Sequence, residues 1–194
     1  MLLKIFPTLI AVVENIISED DILKIVKKVN ELEKIVPRGG KGWLTPVYNT
    51  LYTFDVSKDI DFFPLVDTVS KMVNEYGIEM GSNADLYISE SWFNSYYKND
   101  YQEYHIHPNS LFSAVYFLKA PKGSSSLILQ NPSHSSKMFV SPSTSYNDNN
   151  TDMWNIPADE NKLVIFPSHI SHMVPIHQIE EKRISIAFNF RCNL

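Results

Sequence analysis

The sequence predicts a mainly β protein in which two N-terminal helices support a jelly roll. Both stretches with helical periodicity lie before residue 80, whereas short runs rich in aromatic and β-branched residues follow Gly81. No helical pattern alternates with these runs, which counts against a parallel, doubly wound sheet. We therefore expect one domain over 1–194, with mostly helical support in 1–80 and the jelly-roll core in 81–194.

The first helix is predicted from Ser18 onward. Ser18 and Asp21 are spaced as a capping box at its start, and Pro37 stops the pattern. Its apolar residues recur at intervals of three and four, so that they share one face. These residues are Ile22, Ile25, Val26, Val29, Leu32 and Val36.

The second helix is predicted from about Pro64 to Tyr76, with Gly77 after it. Its apolar side chains also fall on one side of the helix. A helix with a single apolar face must bury that face against another element. We therefore expect both helices to pack against a sheet.

Short apolar runs mark the strands of the second half. Runs of this length and frequency are typical of an antiparallel sandwich or barrel. The segment Asn131–Asn161 is rich in Ser, Asn, Asp, Thr and Pro, so we expect mostly loop there, with KMFV as a strand inside it. The predicted strand runs are LYISESWFNSYY, LFSAVYFL, SLILQ, KMFV, KLVIF and RISIAFNF.

Composition and charge narrow the classes of function. Hydrophobic residues make up 44% of the chain and aromatic residues 12%, which is enough to fill a core. Seventeen Lys and Arg against 22 Asp and Glu give a net charge of −5, and no basic cluster could follow a phosphate backbone. Nucleic acid is therefore disfavoured as a partner.

Cysteine content and the first residues indicate the compartment. The single cysteine, Cys192, can form no internal disulfide and no CxxC zinc site. The opening stretch MLLKIFPTLIAVVEN contains a lysine and a proline and has no small-residue cleavage site, so it fits neither a signal peptide nor a membrane span. We expect a soluble protein of the reducing cytoplasm.

Three histidines have the spacing of a metal site. His105 and His107 are two residues apart, which on a strand directs both imidazoles to the same face. His172 lies 65 residues beyond His107 (172 − 107 = 65), after another apolar run. Two neighbouring ligands and a distant third would leave open positions on a mononuclear metal. The alternative is that these histidines are hydrogen-bonded structural residues.

The last predicted strand carries polar residues on one face. Because side chains alternate along a strand, its apolar residues face the helices and its polar face turns into the barrel. A buried guanidinium is costly without an anion, so Arg183 and the Ser185 hydroxyl predict a carboxylate-binding site. The alternative is a simple ion pair of Arg183 with Glu180 or Glu181. The polar face consists of Arg183, Ser185, Ala187 and Asn189.

These residues resemble the iron(II)- and 2-oxoglutarate-dependent oxygenases, whose motif is H-x-D/E, a distant histidine and then an arginine. Here Arg183 follows His172 by 11 positions (183 − 172 = 11). The resemblance is closer to a branch of these oxygenases from bacterial and viral genomes with the motif H-x-H-x-N-S. The matching stretches are IFPT, SWFNSYY, HIHPNSLFSAVYFL, VIFPSHISHMVP and EEKRISIAFN.

The resemblance implies a fold and a set of cofactors. The fold would be a double-stranded β-helix, cupin-like, with flanking helices. His105, His107 and His172 would hold Fe(II), and Arg183 with Ser185 would clamp the distal carboxylate of the cosubstrate 2-oxoglutarate. With O2, such an enzyme would hydroxylate a C–H bond of an unidentified substrate. Given the charge, we expect a protein side chain or a small metabolite rather than nucleic acid.

A second resemblance concerns the cosubstrate. Nucleic-acid demethylases of the same superfamily carry N-x-Y before the first histidine ligand, and both side chains bind 2-oxoglutarate. Asn94 and Tyr96 stand at the matching positions, 11 and 9 residues before His105 (105 − 94 = 11, 105 − 96 = 9). Asn94 and Tyr96 are therefore candidate cosubstrate residues. If the chain is a viral member of the H-x-H-x-N-S branch, we expect it in the cytoplasm of the host.

The pattern departs from the superfamily at His107, where most members have an acid. A neutral imidazole brings no negative charge to the metal, so a three-histidine site would be more positive. Glu103 precedes His105 by two residues and is an alternative ligand, or an orienting group for an imidazole. Two alternative functions stay open: a cupin-like three-histidine dioxygenase without 2-oxoglutarate, and a non-catalytic jelly-roll binding module. The sequence leaves open whether the protein is a monomer or a homo-oligomer.

Overall fold

The computed structural model describes residues 1, 6–40, 42–133, 145, 147 and 150–193. In these ranges the chain forms two α-helices, α1 (Glu19–Leu32) and α2 (Phe63–Glu79). Two short 3-10 turns, Val56–Lys58 and Ile60–Phe62, precede α2. The strands are β1 (Ala11–Glu14), β2 (Tyr48–Asn49), β3 (Leu86–Tyr96), β4 (Gln102–His105), β5 (Phe112–Lys119), β6 (Leu127–Gln130), β7 (Met153–Ile156), β8 (Lys162–Pro167), β9 (His172–Val174) and β10 (Arg183–Cys192).

The strands form two antiparallel sheets. The larger sheet has the order β1-β8-β5-β10-β3-β2 and the smaller one the order β4-β9-β6-β7. From β3 onward the chain passes back and forth between the sheets, except at the β6–β7 pair, which stays in the smaller sheet. This is the jelly-roll architecture that the strand pattern predicts, with both helices N-terminal to it.

The helix α1 begins where the sequence predicts. The Ser18 hydroxyl accepts a hydrogen bond from the Asp21 amide at 3.2 Å and donates one to the Asp21 carboxylate at 2.6 Å. Acidic residues in the first turn are also favourable at the positive end of the helix dipole. The helix ends at Leu32, before the predicted stop at Pro37, although the Val36 amide still bonds to the Leu32 carbonyl at 2.8 Å.

Both helices cover the outer face of the larger sheet. The buried face of α2 includes Leu65, Val69 and Val73, which join α1 and the sheet in one apolar cluster. Gly77 allows α2 to approach the sheet, since a Cβ there would lie 2.9 Å from Cδ1 of Leu86. Among the described residues, no helix has the length and apolarity needed to cross a membrane.

The strand β10 separates two environments, as its alternation predicts. Ile184, Ile186 and Phe188 belong to the apolar cluster beneath the helices. The opposite face turns toward the smaller sheet and meets a second apolar cluster, which includes Phe117 and Phe166. The space between the two sheets is where the polar residues of β10 lie.

Several strands differ from the sequence prediction. The first 80 residues also supply β1, which pairs with β8, and β2, which pairs with β3. β7 lies within the segment that we expected to be mostly loop. Each of these strands has four residues or fewer, too short for a clear period-two pattern. The predicted strand KMFV lies outside the described residues.

Candidate metal and cosubstrate site

Three imidazoles converge between the two sheets. One ring nitrogen each from His105, His107 and His172 lies within 4.8 Å of the others. The ring centroids of His105 and His172 are 4.1 Å apart, and those of His107 and His172 are 4.9 Å apart. In the described ranges, this is the one group of three or more His, Cys, Asp or Glu residues that could hold a metal ion. Its compactness suits a single cation.

The three imidazoles are held in place by two different means. His105 at the end of β4 is paired directly with His172 at the start of β9. His107 lies beyond the end of β4, where its amide donates to the Ser168 carbonyl at 3.0 Å. The expectation that both residues of the H-x-H motif share a strand is therefore wrong in detail. Pro108 follows His107 directly and has no amide hydrogen to donate to a neighbouring strand. The hydrogen bond from the His107 amide to Ser168 takes the place of strand pairing.

Backbone carbonyls set the tautomers of two imidazoles. Nδ1 of His105 lies 2.8 Å from the Glu103 carbonyl oxygen, and Nδ1 of His172 lies 2.9 Å from the Ile170 carbonyl oxygen. A carbonyl oxygen only accepts, so each Nδ1 donates a proton. Both Nε2 atoms are then left with a lone pair, which is the form that a metal requires.

Burial keeps the three imidazoles neutral. Desolvation, and after it the neighbouring His105, lower the pKa of His107 to about 4. The pKa of His172 is also lowered, chiefly by burial and then by the two other histidines. Burial lowers the pKa of His105, although the Glu103 carbonyl opposes the shift. Three neutral imidazoles at physiological pH are ready to bind a cation.

Arg183 lies fully buried in the same cavity. Its Nη1 donates to the Ser185 hydroxyl at 3.3 Å, and its guanidinium carbon lies 4.5 Å from the centre of the Tyr96 ring. Nε and Nη2 of Arg183 find no hydrogen-bond acceptor among the described residues. Burial lowers the pKa of Arg183, and the Tyr96 hydroxyl opposes that shift. Two N–H groups without acceptors on a buried cation indicate a binding site for an anion.

Asn94 and Tyr96 lie directly opposite these residues. In the ladder between β3 and β10, Tyr96 pairs with Arg183 and Asn94 pairs with Ser185. All four line the cavity that contains the three histidines. Directly paired residues share a face of the sheet, so the four side chains form one polar surface. Burial raises the pKa of Tyr96, which keeps its hydroxyl protonated.

The Glu103 carboxylate lies outside the group of imidazoles. Its Oε1 accepts from the Leu44 amide at 2.8 Å, which ties it to the loop before β2. It is the backbone carbonyl of Glu103, not the carboxylate, that contacts His105. The group of side chains that could hold a metal ion therefore includes His107 and not the Glu103 carboxylate.

The comparisons with known proteins show the family to which the chain belongs. Residues 90–189 match the family model described as "Putative 2OG-Fe(II) oxygenase", which is more than half of the chain. The chain belongs to this family. It is an enzyme that depends on Fe(II) and 2-oxoglutarate and uses O2, as the sequence resemblance implies. No curated protein matches the oxygenase at the level of sequence.

Solved structures show the same fold at low sequence identity. A prolyl-4-hydroxylase from Pseudomonas putida has a TM-score of 0.71 at 12% identity, covering 96% of the oxygenase and 94% of that chain. A prolyl hydroxylase from Trichoplax adhaerens, in complex with a hypoxia inducible factor peptide fragment, has a TM-score of 0.68 at 12% identity, covering 93% and 82%. HygX from Streptomyces hygroscopicus, with nickel, 2-oxoglutarate and hygromycin B bound, has a TM-score of 0.67 at 12% identity, covering 96% and 84%. These likenesses confirm the jelly-roll fold of the oxygenase.

The side chains of the oxygenase fit the cofactors of its family. Three neutral imidazoles offer nitrogen ligands, which suit Fe(II). The unpartnered donors of Arg183 in the same cavity call for an anion such as a carboxylate. Packing alone does not explain the buried Arg183, because a buried cation with free donors is costly without a ligand.

Several residues that contact the three imidazoles were not identified from the sequence. Nδ1 of His107 contacts Oδ1 of Asn189 at 2.5 Å and the Ser113 hydroxyl at 2.9 Å. Trp43 stacks edge-on against His105 with centroids 4.8 Å apart, and Trp92 lies 5.5 Å from His107. A polar residue on the interior face of the last strand was the signal that could have identified Asn189. The sequence carries no comparable signal for Trp43, which reaches the site from a loop.

Proposed function

We propose that the oxygenase hydroxylates a C–H bond of a protein side chain or a small metabolite. His105, His107 and His172 would hold Fe(II), and Arg183 with Ser185 would bind the distal carboxylate of 2-oxoglutarate. One observation carries the proposal: a group of three neutral imidazoles and a buried guanidinium with free donors line one cavity. Such a pair of features serves a metal and an anionic cosubstrate together.

The chain's own residues would bind, orient and exclude water. The two free donors of Arg183 would form charge-assisted hydrogen bonds with a carboxylate, and Ser185 would hold the guanidinium. Asn94 and Tyr96, on the facing rungs of β3, would add polar contacts to the cosubstrate. Phe117, whose ring lies 5.1 Å from the Arg183 guanidinium, helps to keep water from this end of the cavity.

The cofactors would supply the oxidising power. When bound, they allow O2 to oxidise 2-oxoglutarate to succinate and CO2, with one oxygen atom entering succinate and the other entering the substrate C–H bond. The protein contributes position and a dry cavity. Trp43 and Leu51 line the cavity and are half-buried, and we propose that the substrate enters beside them.

Two considerations support the proposed substrate classes. The net charge of −5 disfavours a phosphate backbone as a ligand. The structural neighbours include one with a bound peptide fragment and one with bound hygromycin B, so the fold accommodates both proposed classes. Turnover assays should therefore begin with proline-containing peptides and with small hydroxylated metabolites.

The test is an anaerobic titration of the protein with Fe(II) and then with 2-oxoglutarate. We expect a weak visible charge-transfer band with wild-type protein, and no iron binding by His172→Ala, which lacks one ligand. His169→Ala is the matched control, because His169 is exposed and lies outside the group. Its band should equal that of the wild type.

Turnover then separates the proposal from its alternative. Hydroxylation predicts succinate formation and the transfer of one 18O atom from labelled O2 to the substrate. The absence of a carboxylate from the metal group favours, as a second candidate, a three-histidine dioxygenase without 2-oxoglutarate. Oxygen uptake without succinate would support that candidate, whereas failure of wild-type protein to bind iron would contradict both.

A further inference from the structure

His107 differs from the other two imidazoles in what holds it. His105 and His172 donate from Nδ1 to backbone carbonyls, whose identity as acceptors is fixed. Nδ1 of His107 instead faces the side-chain amide of Asn189 at 2.5 Å. A side-chain amide can present either its oxygen or its NH2 group, and the two faces would select opposite tautomers of the imidazole.

The carboxylate of Glu90 decides which way this amide points. Nδ2 of Asn189 donates to Oε2 of Glu90 at 2.9 Å. An ionised carboxylate only accepts, so the NH2 group must face Glu90 and Oδ1 must face His107. With an amide oxygen 2.5 Å away, Nδ1 of His107 must carry the proton, since two acceptors at that distance would repel.

The sheet holds the three groups in line. Asn189 of β10 pairs directly with Glu90 of β3 on one side and with Ser113 of β5 on the other. The Ser113 hydroxyl contacts Nδ1 of His107 at 2.9 Å, the Ser168 hydroxyl at 2.8 Å and Asn189 Oδ1 at 3.1 Å. One rung of the larger sheet therefore carries a continuous chain of hydrogen bonds from a half-buried carboxylate to the imidazole.

We propose that Glu90 and Asn189 are positioning residues that hold His107 as the Nδ1–H tautomer with Nε2 free for the metal. Glu90 acts only through Asn189, and Asn189 acts on Nδ1, the ring nitrogen that would not bind the metal. The hydrogen bonds from Glu90 to Asn189 and from Asn189 to His107 form a relay. This relay also places a carboxylate two hydrogen bonds away from the group of three imidazoles, which contains no carboxylate of its own. The inference rests on the proposed role of His107 as a ligand.

The variant Glu90→Gln tests the relay with little change in shape. A glutamine can accept or donate, so the Asn189 amide is released to turn and both tautomers of His107 become accessible. Asn189→Ala removes the relay altogether. Ser89→Ala is the matched control, because Ser89 neighbours Glu90 on β3 and its hydroxyl donates to the backbone carbonyl of Asn189, at 3.2 Å, rather than to the side-chain amide.

The first measurement is long-range 1H–15N NMR of metal-free protein labelled at histidine, with the His107 signals assigned by their loss in His107→Gln. We expect the pure Nδ1–H pattern in wild type and Ser89→Ala, and a tautomer mixture in Glu90→Gln. An Nε2–H tautomer in the wild type would overturn the proposal. So would an unchanged pure Nδ1–H pattern in Glu90→Gln.

The second measurement is Fe(II) affinity in the presence of 2-oxoglutarate under anaerobic conditions. Removal of a partner that orients a metal-bound histidine typically weakens metal binding about 10- to 100-fold. We expect a loss of at least about 10-fold in Glu90→Gln and Asn189→Ala, and none in Ser89→Ala. If the wild type binds Fe(II) and Glu90→Gln binds it with the same affinity, the proposed roles of Glu90 and Asn189 are overturned, but the proposed function is not. Absence of iron binding by the wild type would instead contradict the proposed function, and the tautomer pattern would still be measurable.

Discussion

At the scale of single residues, Arg183 carries the proposed selectivity for 2-oxoglutarate. Its guanidinium is fully buried, and two of its nitrogens have free donors that line the cavity. Arg183→Lys keeps the charge but loses the planar fork, so 2-oxoglutarate should bind about 10-fold more weakly or worse. Titration of the charge-transfer band measures this affinity.

The adjacent residue provides the control for this substitution. Lys182 bonds to Asn30 and Glu33 at 2.7 Å, away from the cavity. Lys182→Met removes a neighbouring cation without touching the proposed clamp, and its affinity for 2-oxoglutarate should equal that of the wild type. Equal affinities in Arg183→Lys and the wild type would argue against the clamp.

A pH dependence follows from the buried imidazole of His107. Its folded-state pKa is about 4, below the ordinary histidine value of 6.5. The unfolded chain therefore binds the proton first as the pH falls, and the free energy of unfolding decreases below about pH 6.5. Between pH 7.5 and 5.5, His107 alone should cost metal-free protein on the order of 1 kcal/mol.

Urea denaturation of metal-free protein at the two pH values measures this effect. His107→Asn has no titrating group at this position, so its loss of stability over the same interval should be smaller than that of the wild type by about 1 kcal/mol. Carboxylates elsewhere titrate equally in both proteins and cancel in the comparison. Identical pH slopes would show that His107 is not held neutral by the fold.

At the scale of elements, Asn161 joins the N-terminal segment to the sheet. Its Oδ1 accepts from the amides of Ile16 and Ile17 and from the Tyr116 hydroxyl, and its Nδ2 donates to the Ile17 carbonyl at 2.8 Å. These bonds hold the link between β1 and α1 against the turn before β8. Loss of the side chain leaves several partly buried groups unsatisfied, so Asn161→Ala should destabilise the protein by about 2 to 4 kcal/mol.

The backbone at Asn161 allows a matched comparison. Its φ is +60°, in the left-handed region where glycine is unstrained and alanine is not. Asn161→Gly should therefore lose the hydrogen bonds but remain more stable than Asn161→Ala by about 1 kcal/mol. Denaturant midpoints compare the two variants, and equal stabilities would mean that the left-handed backbone adds no strain there.

The strand β10 shows how one element serves two purposes. Its outward residues complete the apolar core under the helices, whereas its inward residues supply the proposed clamp and the partner of His107. The alternation could be predicted from the sequence, because it depends only on neighbours along one strand. The contact of Asn189 with His107 could not be predicted in this way, because the two residues lie 82 positions apart.

At the scale of the whole molecule, the site lies where the two sheets face each other. Ligands that bind the native protein and not the unfolded chain stabilise it by about 2.7 kcal/mol at one hundred times their dissociation constant. For a chain of 194 residues this corresponds to a rise in Tm of roughly 5 to 11 °C. We expect this rise with Fe(II) and 2-oxoglutarate together under anaerobic conditions.

Thermal unfolding measures the stabilisation, and two controls localise it. The chelator-treated protein with 2-oxoglutarate alone should show a smaller rise, because the cosubstrate would lack the metal. His172→Ala should show little response to iron, since it lacks one of the three ligands in the group. A rise of the same size in His172→Ala would place the stabilising metal elsewhere.

Local patterns account for what could be predicted. Helical periodicity, the N-cap at Ser18 and the alternation in β10 each depend on residues close in the chain, and the structure shows all three. The short strands β1, β2 and β7 could not be predicted, because pairing with a distant strand stabilises them more than their own pattern does.

Local patterns along the chain were enough to predict the mainly β class, the two covering helices and the residues from which a metal and cosubstrate site could be built. The pairing of distant strands was needed to place His107, and not the Glu103 carboxylate, with His105 and His172. The same strand pairing brings Asn189 into contact with Nδ1 of His107, and Glu90 into contact with Asn189. The physical reason is that spacing along the chain sets which face a side chain occupies, whereas the register between distant strands sets which side chains meet.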